Sequence, residues 1–134
     1  MKNEILNEID TLSLPVPDGT KSGDPVMVGS FVGVAATDRA DSTVTTYPLN
    51  RGGGNPDGYA SVVIDNERAF LLDVEGAIAG PGTPVYITGA GPFVLSTTNG
   101  GTDAVFGHTI PGPDNLYATK AAGTGPAAVK LAAV

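Results

Sequence analysis

No cysteine occurs in the chain, so it has neither a disulfide framework nor a thiolate zinc site. The single histidine, His108, cannot assemble a multi-histidine metal cage, and no metal or other cofactor is expected. Basic residues are scarce: seven Lys and Arg stand against fourteen Asp and Glu, a formal net charge of −7 with no basic block. Coating a phosphate backbone needs clustered Lys or Arg, so nucleic acid is not an expected partner. No stretch approaches the ~20 consecutive apolar residues of a transmembrane helix, which argues against a membrane partner. Met1 to Asp10 carries Lys2, then Glu4, Glu8 and Asp10 without an apolar run, unlike a secretory signal. The expectation is a protein made and folded in a cytoplasm.

What the chain has in plenty is turn chemistry. Nineteen glycines and eleven prolines make about 22% of the 134 residues, while 41% are hydrophobic and 16% charged. That balance suits one compact domain, which at this length buries roughly two thirds of its unfolded surface. Residues 1 to 12 differ from the rest: Ile5, Leu6, Ile9 and Leu12 recur at roughly helical spacing among polar residues, with no glycine or proline. A short amphipathic helix, an extended arm and a frayed terminus all fit. Pro15 and Pro17 then stop any helix and hold the chain extended.

From residue 13 onward the pattern is one β-domain, residues 13–134, behind an N-terminal arm of residues 1–12. Pro25 to Val28 and Phe31 to Ala35 form a tight hairpin across Gly29-Ser30, and Ser42 to Leu49 is strand-prone up to Pro48. A long mobile loop is expected at Asn50 to Gly58, exposing Asn50, Arg51, Asn55 and Asp57. Tyr59 to Ile64 alternates, and Ala69 to Val74 is expected as its hairpin partner across Asp65-Asn66. Pro84 to Thr88, Phe93 to Thr97, Ala104 to Thr109 and Ala127 to Ala133 complete about eight or nine short strands. Gly23-Asp24-Pro25-Val26-Met27-Val28 is echoed by Gly82-Thr83-Pro84-Val85-Tyr86-Ile87, and each is followed by a glycine turn and another apolar run. Two related hairpins facing each other would close a small all-β barrel or sandwich with few free edges.

Catalytic chemistry finds little support. His108 lies in an expected strand, and no Gly-x-Ser-x-Gly elbow accompanies it. Asp38, Asp41 and Asp57 match no ion-binding loop and read as turn aspartates. Gly89-Ala90-Gly91 is followed by Pro92 and lacks the third glycine of a dinucleotide fingerprint, while Arg51-Gly52-Gly53-Gly54 lacks the lysine ending of a phosphate loop. Tyr47, Tyr59, Tyr86 and Tyr117 would make a binding platform only if several shared a face, and aromatics are just 6% of the chain. No catalytic residue is assigned.

The run from Leu12 through Leu14-Pro15-Val16-Pro17-Asp18-Gly19-Thr20 to Gly29 resembles the opening of the capsid decoration, or cement, proteins of tailed bacteriophages. The likeness continues through Val32 to Asp38, Gly54 to Val62, Val74-Glu75-Gly76-Ala77, Gly82 to Thr88 and the Phe106-Gly107 pair before an alanine-rich final strand. The resemblance implies a non-enzymatic structural protein on the outer surface of an icosahedral virion head, made in the host cytoplasm. It implies the major capsid protein and further copies of this chain as partners, as homotrimers at three-fold and quasi-three-fold sites. It also implies an N-terminal arm that reaches the capsid; residues 1 to 11 match no pattern of the family, and the expected contacts, Ile5, Leu6, Ile9, Leu12 and Leu14, are the apolar residues of this chain's own arm and its continuation, docking either as an extended strand or by the apolar face of a helix. The competing expectation is a carbohydrate- or host-binding module, using the 50–58 loop with Tyr47 or Tyr59.

Overall fold

Short runs of β-branched and apolar residues between glycine turns become strands here. The computed structural model describes residues 10–43, 54–88, 93–100 and 103–132. Among these are nine strands: β1 Thr11–Pro15, β2 Pro25–Val28, β3 Phe31–Ala35, β4 Tyr59–Val63, β5 Ala69–Glu75, β6 Pro84–Ile87, β7 Leu95–Ser96, β8 Ala104–Thr109 and β9 Thr124–Leu131. A 3-10 turn spans Pro113–Asn115. The two-residue period is plain in β5, where Leu72 and Val74 are buried and Leu71, Asp73 and Glu75 are exposed.

The chain is all-β, in two sheets. The first runs β1-β4-β3-β2, and the second closes into a barrel, β5-β7-β6-β8-β9. Their cores are continuous at the boundary. Val32 and Val34 of β3 join the barrel core around Val74, Val85 and Phe106, while Phe93, just before β7, packs against Val16, Val26, Ala35, Ala60 and Val62 of the first sheet.

The two sheets are two versions of one four-stranded unit. Leu14 of β1 faces Ala60 of β4 as Leu72 of β5 faces Ala127 of β9, and Val26 of β2 faces Gly33 of β3 as Val85 of β6 faces Gly107 of β8. The hydrogen bonds that frame the strands correspond too. Gly23 N–H donates to Ala35 C=O at 2.7 Å and Ala35 N–H to Asp24 C=O at 2.9 Å; Gly82 donates to Thr109 at 2.7 Å and Thr109 to Thr83 at 2.9 Å. Ala36 donates to Ser61 at 2.7 Å and Ile110 to Ala128 at 3.0 Å. The Gly-x-Pro-Val echo therefore marks matching places in two matching units. The glycines at Gly33 and Gly107 have one reason: a Cβ there would collide with the carbonyl of Val63 in β4 or of Lys130 in β9. The β6–β8 ladder has a register shift between Val85 and Tyr86 that the β2–β3 ladder lacks, and a further strand separates the units. Only Gly29-Ser30 joins β2 to β3, whereas β7 lies between β6 and β8, pairing antiparallel with β6 and parallel with β5 to close the barrel.

Several expectations need correcting. β4 and β5 do not form a hairpin: β1 and β3 occupy both edges of β4, and β9 and β7 occupy both edges of β5. The turn between them exists, with Asp65 accepting from Glu67 N–H at 2.8 Å, but it carries the chain from one sheet to the other. The strand expected over Phe93–Thr97 shrinks to Leu95–Ser96, and Phe93, just before it, packs against both the barrel core and the first-sheet core. The last strand begins earlier, at Thr124, and ends at Leu131. Residues 44–49 of the expected Ser42 to Leu49 strand lie outside the described residues. Thr11 and Leu12, assigned to the arm, are the first two residues of β1, paired with Val63 and Val62.

Candidate functional site

The arm leads into an edge strand. β1 pairs only with β4 among the described residues, so its other edge is open. Ile64 N–H donates to Asp10 C=O at 2.9 Å and Val16 N–H to Gly58 C=O at 3.1 Å, so Asp10 and Val16 bond toward β4. Alternation puts Leu12 and Leu14 in the same set and turns the backbone N–H and C=O of Thr11 and Ser13 outward. Pro15 and Pro17 offer no N–H, which limits the open template to the strand's beginning.

The expected contact residues divide accordingly. Leu14 packs against the first-sheet core, Leu12 is half-buried, and the outer backbone edge beside them pairs with no strand among the described residues. Ile5, Leu6 and Ile9 lie outside the described residues, as do Asn50, Arg51 and Tyr47. Asn55 is held rather than displayed. It is half-buried, its Oδ1 accepts from the Ser13 hydroxyl at 2.6 Å, and its Nδ2 donates to the Ser61 hydroxyl at 3.0 Å, tying the chain before β4 to the outer face of β1. Asp57 is exposed but engaged, accepting from Ser42 N–H at 2.8 Å and Ser42 Oγ at 2.6 Å. No sequence signal announces the Ser13–Asn55–Ser61 group, because Ser13 and Asn55 are 42 positions apart.

The other candidates stay dispersed. Asp38 accepts from Ser22 N–H at 2.8 Å and lies 3.8 Å from the Lys21 ammonium. Asp41 accepts from both the hydroxyl and the N–H of Thr43, and these bonds, with a smaller contribution from the Arg39 charge, hold its carboxyl below the usual carboxylate range. Among the described residues no three His, Cys, Asp or Glu side chains gather as a metal site. His108 is exposed on β8, between Pro84 and Lys130. Tyr59, Tyr86 and Tyr117 sit on β4, on β6 and after the 3-10 turn, so no tyrosine platform forms from the three.

One basic side chain closes the loop end of each unit. Arg39 Nε donates to Val16 C=O at 3.1 Å and its Nη1 pairs with Asp18 at 2.8 Å, against Gly58. Lys120 Nζ donates to Gly76 C=O at 2.6 Å, to Ala121 C=O at 2.9 Å and to Gly123 C=O, against Gly125. Lys120 is held by backbone carbonyls and Arg39 by one carbonyl and the Asp18 carboxylate, a structural use in both. No family model, curated protein or solved structure matches the chain. The site stands on its own residues: an open strand edge at the start of the domain, stiffened by Asn55 on one face and by Leu14 on the other.

Proposed function

We propose that this chain is a capsid decoration protein, a non-enzymatic cement that binds the major capsid protein on the outside of an icosahedral phage head. The resemblance over nearly the whole chain from Leu12 onward motivates the reading. The observation that supports it best is the open outer edge of β1, met directly after residues 1–9. An arm that reaches a neighbouring subunit is anchored there to a rigid sheet, and an extended partner segment beside Thr11 and Ser13 would gain backbone hydrogen bonds and register together. In the proposed trimer, three arms act through effective concentration, so each contact can be weak. A net charge of −7 keeps many unbound copies apart until they bind.

The test uses expanded heads that lack the protein. Full-length chain should sediment with them and raise their resistance to heat, and light scattering should report a trimer in solution or on the head. A variant lacking residues 1–9, which keeps β1 whole, should fold and lose head binding. A full-length protein that stays in the supernatant would refute the reading; a truncated one that still binds would refute the role of the arm.

A further inference from the structure

The correspondence between the two units exposes what the first one lacks. In the barrel, the outer edge of β6 is covered by β7 through the Tyr86–Ser96 pair. The residue matching Tyr86 in the first unit is Met27 of β2, and among the described residues β2 pairs only with β3. Asp24 C=O bonds toward β3, so alternation sends Val26 and Val28 the same way and leaves the Met27 backbone facing outward.

At the start of β2, by Asp24 and Pro25, lies a trough between the two units. Two adjoining cavities of about 430 and 270 Å3 share Asp24, Pro25 and Phe93 as lining. The larger one is walled by Leu71 of β5 and by Val94, which are 56% and 47% exposed. Large apolar side chains left open in a concave surface are the usual mark of a contact surface. Asp24, Asp73 and Glu75 line the same cavity, and among the described residues it is lined by no Lys or Arg. Asp73 and Glu75 take part in no ion pair among the described residues.

We infer that this trough receives an extended segment of a partner protein in which aliphatic side chains are accompanied by lysine or arginine. Leu71, Asp73 and Glu75 are alternate residues on the outer face of β5, repeating every ~6.8 Å, the step between same-side residues of an extended chain. An aliphatic residue of the partner lies over Leu71 and Val94, and its next two same-side residues place their cations at Asp73 and Glu75. Its backbone runs along the open edge of β2, where β7 runs along β6 in the barrel. The partner is defined by this chemistry alone, so the inference holds independently of the capsid reading.

The test is methyl NMR of the full chain titrated with the nine-residue capped peptide Ser-Ser-Val-Ser-Lys-Ser-Lys-Ser-Ser, whose valine and two lysines share one side when extended, and with its counterpart carrying glutamate in place of both lysines. The lysine peptide should shift the methyl signals of Met27, Leu71 and Val94, and its binding should weaken several-fold between about 0.05 and 0.5 M NaCl. The double variant Asp73→Asn, Glu75→Gln alters only exposed side chains; it should melt like the parent and bind the lysine peptide about fivefold more weakly. Unmoved Leu71 and Val94 signals, or equal binding of the glutamate peptide, would overturn the inference. So would concentration-dependent broadening of those methyls in the protein alone, which would assign the trough to a second copy. Peptide binding by a protein that ignores heads would refute the capsid reading and leave this inference standing.

Discussion

Gly33 and Gly107 sit where two backbones nearly touch, and their substitution is the sharpest test of the shared unit. Adding a methyl at either position drives Cβ into a carbonyl of the neighbouring strand, which neither side can yield without moving a ladder. Gly33→Ala and Gly107→Ala should each lower stability by ~2 kcal/mol or more in urea unfolding, and by similar amounts because the contacts correspond. Lys120 makes a second residue-scale prediction. Lys120→Met keeps the stem but abandons the carbonyls of Gly76, Ala121 and Gly123, and should cost ~1–2 kcal/mol since these become partly rehydrated. At Asp41, Thr43→Ala removes the strongest cause of the lowered carboxyl pKa, the hydroxyl bond, and an NMR titration should find that pKa moved back toward its ordinary value. The sign follows from the depression: the bond's contribution is present above the ordinary carboxylate range and fades as the pH falls through the lowered pKa.

Among the elements, β1 and β2 are the strands to which the proposals assign recognition, since among the described residues each of them pairs on one side only. Amide exchange should separate the two sides of β1. Leu12 and Leu14, bonded to β4, should be protected, and Thr11 and Ser13 should exchange fast in the free protein. If the arm docks as a strand, Thr11 and Ser13 should gain protection in head-bound protein, while an arm that binds by its side chains alone would leave them fast. Strand positions were legible in the chain wherever β-branched residues met glycine turns, as at Pro25–Val28 and Ala104–Thr109. The partner of each strand was not: β4 and β5 are adjacent in sequence, yet all four of their edges belong to other strands.

At the scale of the whole molecule, the two units are stitched by exchanged side chains. Val32 and Val34 lie in the barrel core, and Phe93 of the barrel half packs on the first-sheet core. They should therefore unfold together, with coincident transitions for Tyr59, which reports on the first sheet, and Tyr86, which reports on the barrel. Phe93→Ala removes the larger stitch from a half-buried site and should cost ~2 kcal/mol, with the two tyrosine signals drawing apart. Coincident signals in that variant would show that the β2 and β3 side chains in contact with the barrel core, Met27, Val32 and Val34, suffice to couple the halves.

The sequence by itself determined the all-β class, the places of most strands and the echo between Gly23 and Val28 and between Gly82 and Ile87. These are local properties: turn glycines, prolines that block helix, and β-branched runs act over a few residues. Only the tertiary structure decided that the echo marks two matching units, that a two-residue strand closes one of them, and that among the described residues no strand pairs with the outer edge of β2 in the other. Pairing is decided between residues up to 61 positions apart, as for Ala69 and Lys130 in the β5–β9 ladder. Backbone edges look alike in every strand, so nothing in the composition of a strand names its neighbour; the burial of both faces and the exclusion of already occupied edges do.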